Sequence, residues 1–316
     1  MGFLLLALLL LALALRDNGD EALQAARNVG AAGALASLAA VLLGLLASAM
    51  VWRALLADLG TELPLRPALH VFFLGQLGKY VPGSVFAIAA QMELGRTQGA
   101  PRSRVGTASL LFMGVLVAAG LLTAAAALPL TSPEALRDFA WVLLALPLGL
   151  LALAPPVLTR LIALLLKVLR REPLDRPLSA RRVGAAAGWA LVMWAAYGVH
   201  LWLLVRSLDT RGSADLLLLC LGAYALAWTA GFLFVVAPAG AGVREVALIA
   251  SLAPVLDAGA ALAVAVLSRV LMTLGDLVWG TAGAALRPRN GHKAGSDETD
   301  VATVTPVKQL GKVADA

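Results

Sequence analysis

The sequence predicts an all-α, polytopic transmembrane helix bundle of about seven or eight passes, with two broken or re-entrant segments. Three observations predict it. Of the 316 residues, 60% are hydrophobic and only 14% are charged, against roughly 25% charged in a soluble domain. Apolar runs long enough to cross a bilayer recur along the chain, with Lys and Arg gathered in the short loops between them, the positive-inside pattern. Two runs are interrupted by Gly and Pro with charged residues alongside. Lipid-facing backbone does not tolerate that, because every N–H and C=O in the bilayer core needs an internal partner.

Taken in order, Phe3–Leu15 is a Leu-rich run that covers about 20 Å as a helix, short of the roughly 30 Å core. It reads as a shortened first span. A signal peptide would use Ala12-Leu13-Ala14 as its cleavage pattern but has no basic residue before Arg16; an interfacial segment is the third reading. Val29–Trp52 is long enough to cross. Roughly Ala68–Leu94 is the first broken region, either re-entrant or crossing in two half-helices. Val105–Leu130 crosses. Phe139–Pro156 crosses, and Leu158–Arg171 continues as an amphipathic extension onto the surface. Val183–Val205 and Asp215–Val236 cross. Roughly Ala237–Leu252 is the second broken region, and Ala258–Leu286 closes the transmembrane domain, residues 1–286. Residues 287–316 are polar, rich in Gly, Ser, Asp and Thr, and read as a disordered tail.

Orientation follows from basic residues in short loops. Loop 96–104 carries Arg96, Arg102 and Arg104. Loop 160–182 carries Arg160, Lys167, Arg170, Arg171, Arg176, Arg181 and Arg182, and the tail begins with Arg287, Arg289 and Lys293. All three are expected to be cytoplasmic. Three plain spans separate the second loop from the tail, so the region around Pro238–Leu252 has to cross once to restore an even count. The Ala, Leu and Arg usage suggests a bacterial gene, and hence a multi-pass protein of the bacterial cell membrane with a cytoplasmic C-terminal tail.

Composition also removes function classes. The single Cys220 sits in an apolar run, and His70, His200 and His292 have no ligand spacing, so neither a disulfide framework nor a metal site is expected. The net charge of +6 comes without a basic domain or recognition motif, so nucleic acid is not an expected partner. There is no P-loop, nucleophile elbow or acidic pair in a loop. No cofactor and no covalent chemistry are expected, and the chain does not read as an enzyme.

The interruptions carry the functional signal. In Gly75-Gln-Leu-Gly-Lys-Tyr-Val-Pro-Gly-Ser84, Gly78, Pro82 and Gly83 loosen the helix. Backbone N–H groups freed there, with the helix start after Gly83, would make an anion cup. Lys79 adds a point charge and Tyr80 an amphipathic ring, which suits a phosphate head group; an interfacial turn with both at the water boundary is the bland alternative. Glu93 and Arg96 follow at i and i+3, close enough to pair at a helix end, and Gln91 is placed to line a polar path. The second interruption, Val236-Ala-Pro-Ala-Gly-Ala-Gly-Val-Arg-Glu245, repeats the logic. Pro238, Gly240 and Gly242 break the run, and Arg244 and Glu245 open the next helix. The dipole favours Glu245 and disfavours Arg244, so Arg244 calls for an anionic partner. Arg269 lies eleven residues into the last span, where it costs about 3 kcal/mol on insertion scales. Asp276 follows seven residues later on the same face. Glu245 and Asp276 are expected to orient and partly neutralise the two Arg residues, although a purely structural ion pair fits the same spacing. Gly184-x-x-x-Gly188 offers a helix-packing face, and Trp52, Trp141, Trp189, Trp202 and Trp279 read as interface anchors.

Gly78-Lys79-Tyr80-Val81-Pro82-Gly83, Pro238-Ala-Gly-Ala-Gly-Val-Arg-Glu245 and Ser268-Arg269-Val-Leu-Met-Thr-Leu274 together resemble the lysylphosphatidylglycerol synthase transmembrane (flippase-like) family. That family often has a Gly-Lys-Tyr-x-Pro-Gly element, a Pro-Gly-Gly-x-Gly-x-Arg-Glu element and an Arg-Leu-Leu-Thr-like element in the last long helix. Ala239 and Ala241 depart from it, standing where Gly is frequent. The resemblance spans most of residues 1–286 and implies translocation of a lipid or lipid-linked substrate. Its best-known members join such a unit to a soluble aminoacyl transfer domain. Here about 30 polar residues follow Leu286, so aminoacyl-lipid synthesis is not expected. The expected partners are membrane lipids, with a separate cell-envelope enzyme as a second class. An enzyme or scaffold acting on phospholipid or polyprenyl-phosphate is the alternative function.

Overall fold

The computed structural model describes residues 2–80, 85–132, 137, 143, 145–208, 214–234 and 242–287. Among these there is no strand. The helices are α1 (Gly2–Asp58), α2 (Leu65–Gln76), α3 (Val85–Thr97), α4 (Arg102–Ala127), α5 (Ala145–Leu153), α6 (Pro155–Val168), α7 (Ala180–Val205), α8 (Ala214–Leu233), α9 (Val243–Leu252) and α10 (Ala258–Ala285). Five described stretches are long and apolar enough to cross a membrane: Arg27–Asp58, Arg102–Thr131, Ala180–Val205, Asp215–Leu233 and Ala258–Ala285. The pair α5–α6 makes a sixth if its 73° bend lies within one span. The two interrupted regions come on top of these.

The expectation of a separate first span needs correction. Phe3–Leu15 and Val29–Trp52 belong to one helix, α1. The residues between them lack Pro, and residues 21–27 are all good helix formers, so the polar Asp17-Asn18-Gly19-Asp20 stretch does not stop the helix. Of the second interruption, residues 237–241 lie outside the described residues, and α9 is the described part. At 1.5 Å per residue the ten residues of α9 cover about 15 Å, so α9 alone does not make the crossing that the charge parity calls for. The amphipathic extension is present as α6. It buries Leu158, Ile162 and Leu166, four residues apart, and exposes Leu161, Leu164 and Val168.

The helix α1 packs against α4, α7 and α10, α8 lies against α4 and α7, and α9 leans on α8 and α10. The short helix α2 rests on α10 and α3, with α3 in turn on α4. Lipid supplies no hydrophobic drive between helices, so close approach and directed contacts hold such a bundle. At Gly275 an added Cβ would lie 2.6 Å from Val41, and at Gly44 it would lie 2.4 Å from the Tyr197 ring. Phe72 of α2 contacts the rings of Trp52, Phe73 and Phe112, which ties α1, α2 and α4 together. Trp52 is fully buried and donates its indole N–H to Ser109 Oγ at 3.1 Å. Trp279 stacks on Phe73 and donates to the Leu42 carbonyl at 3.0 Å. Trp52 is a core residue, not the interface anchor that its position near a span end suggests, whereas Trp279 is half-buried against the core. Trp202, under the Arg206 guanidinium at 4.7 Å, fits the anchor reading, and Trp141 lies outside the described residues. Among the described residues nothing lies within 4 Å of a Cβ added at Gly184 or Gly188, so that small-residue face packs on no described helix.

At one end the basic loops converge. Arg104 donates to the Gly60 carbonyl at 3.1 Å, Arg176 to the Asp58 carbonyl at 2.8 Å, and Arg182 pairs with Glu62. The Asp58 carboxylate accepts from the Ser179 N–H at 2.9 Å and its hydroxyl at 2.7 Å, fixing the start of α7. Glu93 pairs with Arg96, as the i, i+3 spacing predicts, and also with Arg102. Hydrogen bonds from Arg96 and then Arg102 lower its pKa to about 2. A cavity of about 320 Å³ lies here, between Leu59, Arg104, Leu166, Asp175 and Arg176.

Candidate functional site

The predicted site residues that fall within the described chain gather around α10. Asp276 is the hinge of the first group. Its carboxylate accepts from Lys79 Nζ, at 2.8 Å on Oδ1 and 2.7 Å on Oδ2, and from the Tyr80 hydroxyl at 2.5 Å. Lys79 and Tyr80 sit on a single 3-10 turn, Leu77–Tyr80, that ends α2. Lys79 Nζ lies 5.5 Å from the centre of the Tyr80 ring. Asp276 is buried at 6% exposure, whereas the Lys79 side chain is 32% exposed. The turn fits because Gly78 carries no side chain: an added Cβ would lie 2.8 Å from the Ala87 backbone. Gly78 therefore holds α2 against α3.

Arg269 and Glu245 form the second group, with Arg269 Nη1 3.5 Å from Glu245 Oε1. Glu245 Oε2 also accepts from the Gly242 N–H at 2.6 Å. Gly242 is the N-cap of α9 at φ +88°, a left-handed value that an L side chain resists. The carboxylate at this helix start is favoured by the dipole, as the sequence suggests. Arg244 turns to α8. It donates to the Tyr224 hydroxyl, and its guanidinium lies 4.8 Å from the ring centre. Among the described residues, no carboxylate pairs with Arg244.

One expectation is corrected here. Asp276 serves Lys79 and Tyr80 of the first interruption instead of orienting an Arg, because the turn after α2 packs against α10 and brings an ammonium directly to it. Arg269 and Asp276 are about 10.5 Å apart along α10, and Tyr80 bridges that interval, since Thr273 and Arg269 also face its hydroxyl. Pro82, Gly83, Pro238 and Gly240 lie outside the described residues, and with them most of the proposed backbone cup. Gln91 is 3% exposed and accepts from Ser109 Oγ at 2.6 Å. It braces α3 on α4 instead of lining a path.

The cluster lies at membrane depth. Gly275, beside Asp276, packs on Val41 and Leu45, the middle of the span Arg27–Asp58. Arg269 is in the central third of α10. Among the described residues, three cations and two carboxylates meet there: Lys79, Arg244 and Arg269 with Glu245 and Asp276.

Behind the cluster runs a buried relay that spacing does not reveal. Ser37 Oγ donates to the His200 carbonyl at 3.0 Å and lies 2.6 Å from His200 Nδ1. The hydroxyl proton is used on the carbonyl, so Nδ1–H is the donor to Ser37 and Nε2 accepts from Ser268 Oγ at 2.9 Å. Ser268 also lies against the Tyr224 hydroxyl, which receives Arg244. Five helices, α1, α7, α8, α9 and α10, are stitched by these groups. His70 is likewise a satisfied core residue, donating Nδ1–H to the Gly283 carbonyl at 2.8 Å. No group of three or more His, Cys, Asp or Glu arranged for a metal ion occurs among the described residues.

A family model described as the lysylphosphatidylglycerol synthase TM region matches residues 1–280. No curated protein matches the chain. The family model covers most of the chain, and the protein therefore belongs to the lysylphosphatidylglycerol synthase transmembrane-region family, as a multi-pass integral membrane protein.

Proposed function

We propose that this member of the lysylphosphatidylglycerol synthase transmembrane-region family is a flippase-like transporter that moves an anionic lipid, or a lipid-linked substrate, across the bacterial inner membrane. The observation that supports this reading is the charge at mid-membrane among the described residues: three cations beside two carboxylates, with Arg244 held by a tyrosine. Each Arg at that depth costs about 3 kcal/mol on insertion scales. A phosphate supplies negative charge and accepts the bidentate hydrogen bonds that guanidinium groups offer. The Lys79 and Arg269 side chains are 32% and 29% exposed, so each keeps a reachable face. The acyl chains stay in lipid while the head group crosses between the interrupted segments.

In this reading the protein is not an enzyme. Its partners are membrane lipids, and its basic end faces the cytoplasm together with the C-terminal tail. The test is head-group translocation in proteoliposomes, comparing labelled phosphatidylglycerol, a polyprenyl phosphate and phosphatidylcholine. Protein-dependent movement of an anionic lipid, with phosphatidylcholine left behind, is the expected result. No movement of any of them by folded protein would count against a transporter and in favour of a scaffold or enzyme.

A further inference from the structure

We propose that α6 lies in the plane of the bilayer surface and holds anionic lipid there, with its exposed leucines among the acyl chains and its basic residues on the head groups. This surface is separate from the mid-membrane cluster and does not depend on the transport reading. The sequence cuts α6 off from α5. Pro155 and Pro156 offer no N–H to the preceding turn, Ala154 before them is extended, and the two helices meet at 73°. Two contacts then lay α6 along one end of the bundle. Thr159 Oγ1 accepts from the Leu178 N–H at 3.1 Å, just before α7 begins. Leu166, seven residues on, lines the cavity beside Arg104 and Arg176 at that same end. Seven residues of helix cover about 10.5 Å. Both contacts fall where α4 and α7 start and α1 stops, so α6 runs across that end instead of descending into the bundle.

Three faces follow from the helical period. Leu158, Ile162 and Leu166 turn inward and are buried. Leu161, Leu164, Leu165 and Val168 occupy the next arc of about 100° and are 39–71% exposed. Arg160 and Lys167 share the remaining face, away from the core, and both are exposed. An in-plane amphipathic helix with a basic polar face is built this way. α6 has no acidic residue, and Arg170 and Arg171 follow it directly. Among the described residues, no carboxylate pairs with Arg160, Lys167, Arg170 or Arg171. At the same end of the bundle, Glu62, Glu93 and Asp175 do take arginines, namely Arg182, Arg96 with Arg102, and Arg104. Cations left to the surroundings, beside a stripe of exposed leucines, match a leaflet of negative head groups. A soluble acidic partner would leave the leucines in water, and an apolar protein partner would leave the cations without anions. The end of α6 carries a second mark. The Arg171 N–H donates to the Leu166 carbonyl at 2.8 Å and the Arg170 N–H to the Lys167 carbonyl at 3.1 Å. These are the paired bonds of a Schellman ending, and they place Arg170 at φ +51°, a position that ordinarily takes Gly. An Arg there keeps a cation at the negative end of the helix in spite of backbone strain.

The experiment uses the full chain in liposomes of phosphatidylcholine and phosphatidylglycerol, labelled through Leu164→Cys or Arg160→Cys. Cys220 is buried, and the unsubstituted chain measures its background labelling. A nitroxide at position 164 should be reached by oxygen and not by a water-soluble nickel chelate, and one at position 160 by the chelate. A fluorophore at position 164 should be quenched by chain-spin-labelled phosphatidylglycerol in preference to the matching phosphatidylcholine, by at least about fivefold, and high salt should shrink the preference. Lys167→Gln, Arg170→Gly and Arg171→Gln together should remove most of it. Arg170→Gly alone should lower the preference while raising Tm, whereas an Arg with only a structural role would move Tm and leave the preference unchanged. A nitroxide at position 164 that is open to the chelate, or shielded from chelate and oxygen alike, would overturn the proposal in favour of water or of a covering protein. Access to oxygen alone at both positions would make α6 the second half of a bent span and overturn it as well. Equal quenching by the two lipids would overturn the assignment to anionic lipid. If the triple variant does not fold, the salt dependence of the preference in the chain carrying Leu164→Cys alone decides.

Discussion

The two interruptions use the same ingredients and reach different electrostatic ends. The first, around Gly78–Tyr80, is closed. Its one cation is matched by a carboxylate at 2.7 Å, and its backbone is pressed onto Ala87. The second, around Gly242–Glu245, is open. Its carboxylate Glu245 serves Arg269 at the looser distance of 3.5 Å, and among the described residues Arg244 turns to the Tyr224 hydroxyl and ring and to no carboxylate. A satisfied ion pair acts as a latch between elements. A guanidinium held by a neutral tyrosine keeps attraction for an anion. The pairing of latch and sink along one face of α10 is what gives the cluster a direction for chemistry.

The comparison breaks most sharply at the latch. Lys79→Met leaves Asp276 buried without its cation and should cost about 3 kcal/mol, read as a lower Tm in detergent. Lys79→Met with Asp276→Asn should recover most of that loss, because no carboxylate is then left buried without its ammonium. Equal melting of single and double variants would mean that the pair is not a latch. Gly78→Ala comes next. Its Cβ meets backbone and not a flexible side-chain end, so about 2 kcal/mol is expected, with proteolysis around residues 77–87 as the local readout. Tyr224→Phe is smaller, about 1 kcal/mol, and sharpens the sink: Arg244 loses its hydroxyl acceptor but keeps the ring. Head-group affinity should hold or rise in this variant. A fall would mean that Arg244 needs Tyr224 for its aim.

The smallest effect lies outside the membrane. Glu93, with a pKa held at about 2, is depressed below its ordinary value of about 4.3. Its contribution is present above that ordinary value and fades as pH falls towards about 2. Glu93→Gln should therefore melt slightly lower near neutrality and coincide with wild type in acid. Glu93 is exposed between Arg96 and Arg102, so salt should shrink the difference.

How far the sequence reads depends on the range of the signal. A charge, a Gly or a Pro inside an apolar run is a local anomaly, and Lys79, Arg244, Glu245, Arg269 and Asp276 all declare themselves that way. Their partners do so only in part: Glu245 is expected beside Arg269 and is found there, but the partner of Asp276 is not legible. Lys79 and Asp276 are 197 residues apart, and seven-residue spacing on one helix face points Asp276 at Arg269 instead. The relay through Ser37, His200 and Ser268 is illegible for the same reason: a lone His in an apolar span has many possible partners, and only the packing of α1, α7 and α10 selects them. The span boundaries were legible because hydropathy is local, whereas α1 shows that a polar stretch is no proof of a loop when its residues favour a helix. The burial of Trp52 shows that a span-end Trp packs inward when a neighbouring helix offers both an aromatic partner and a hydroxyl acceptor.

The most direct test of the central claim is head-group translocation by the Lys79→Ala, Arg269→Ala double variant. It is compared with wild type in proteoliposomes of equal protein content, below the lower of the two melting temperatures, after a cooperative melt of each shows that both are folded. Wild type should move labelled phosphatidylglycerol and the double variant should lose that movement by at least about tenfold, equivalent to about 1.4 kcal/mol. Undiminished transport by the folded double variant would contradict a mid-membrane cation cluster that holds the head group.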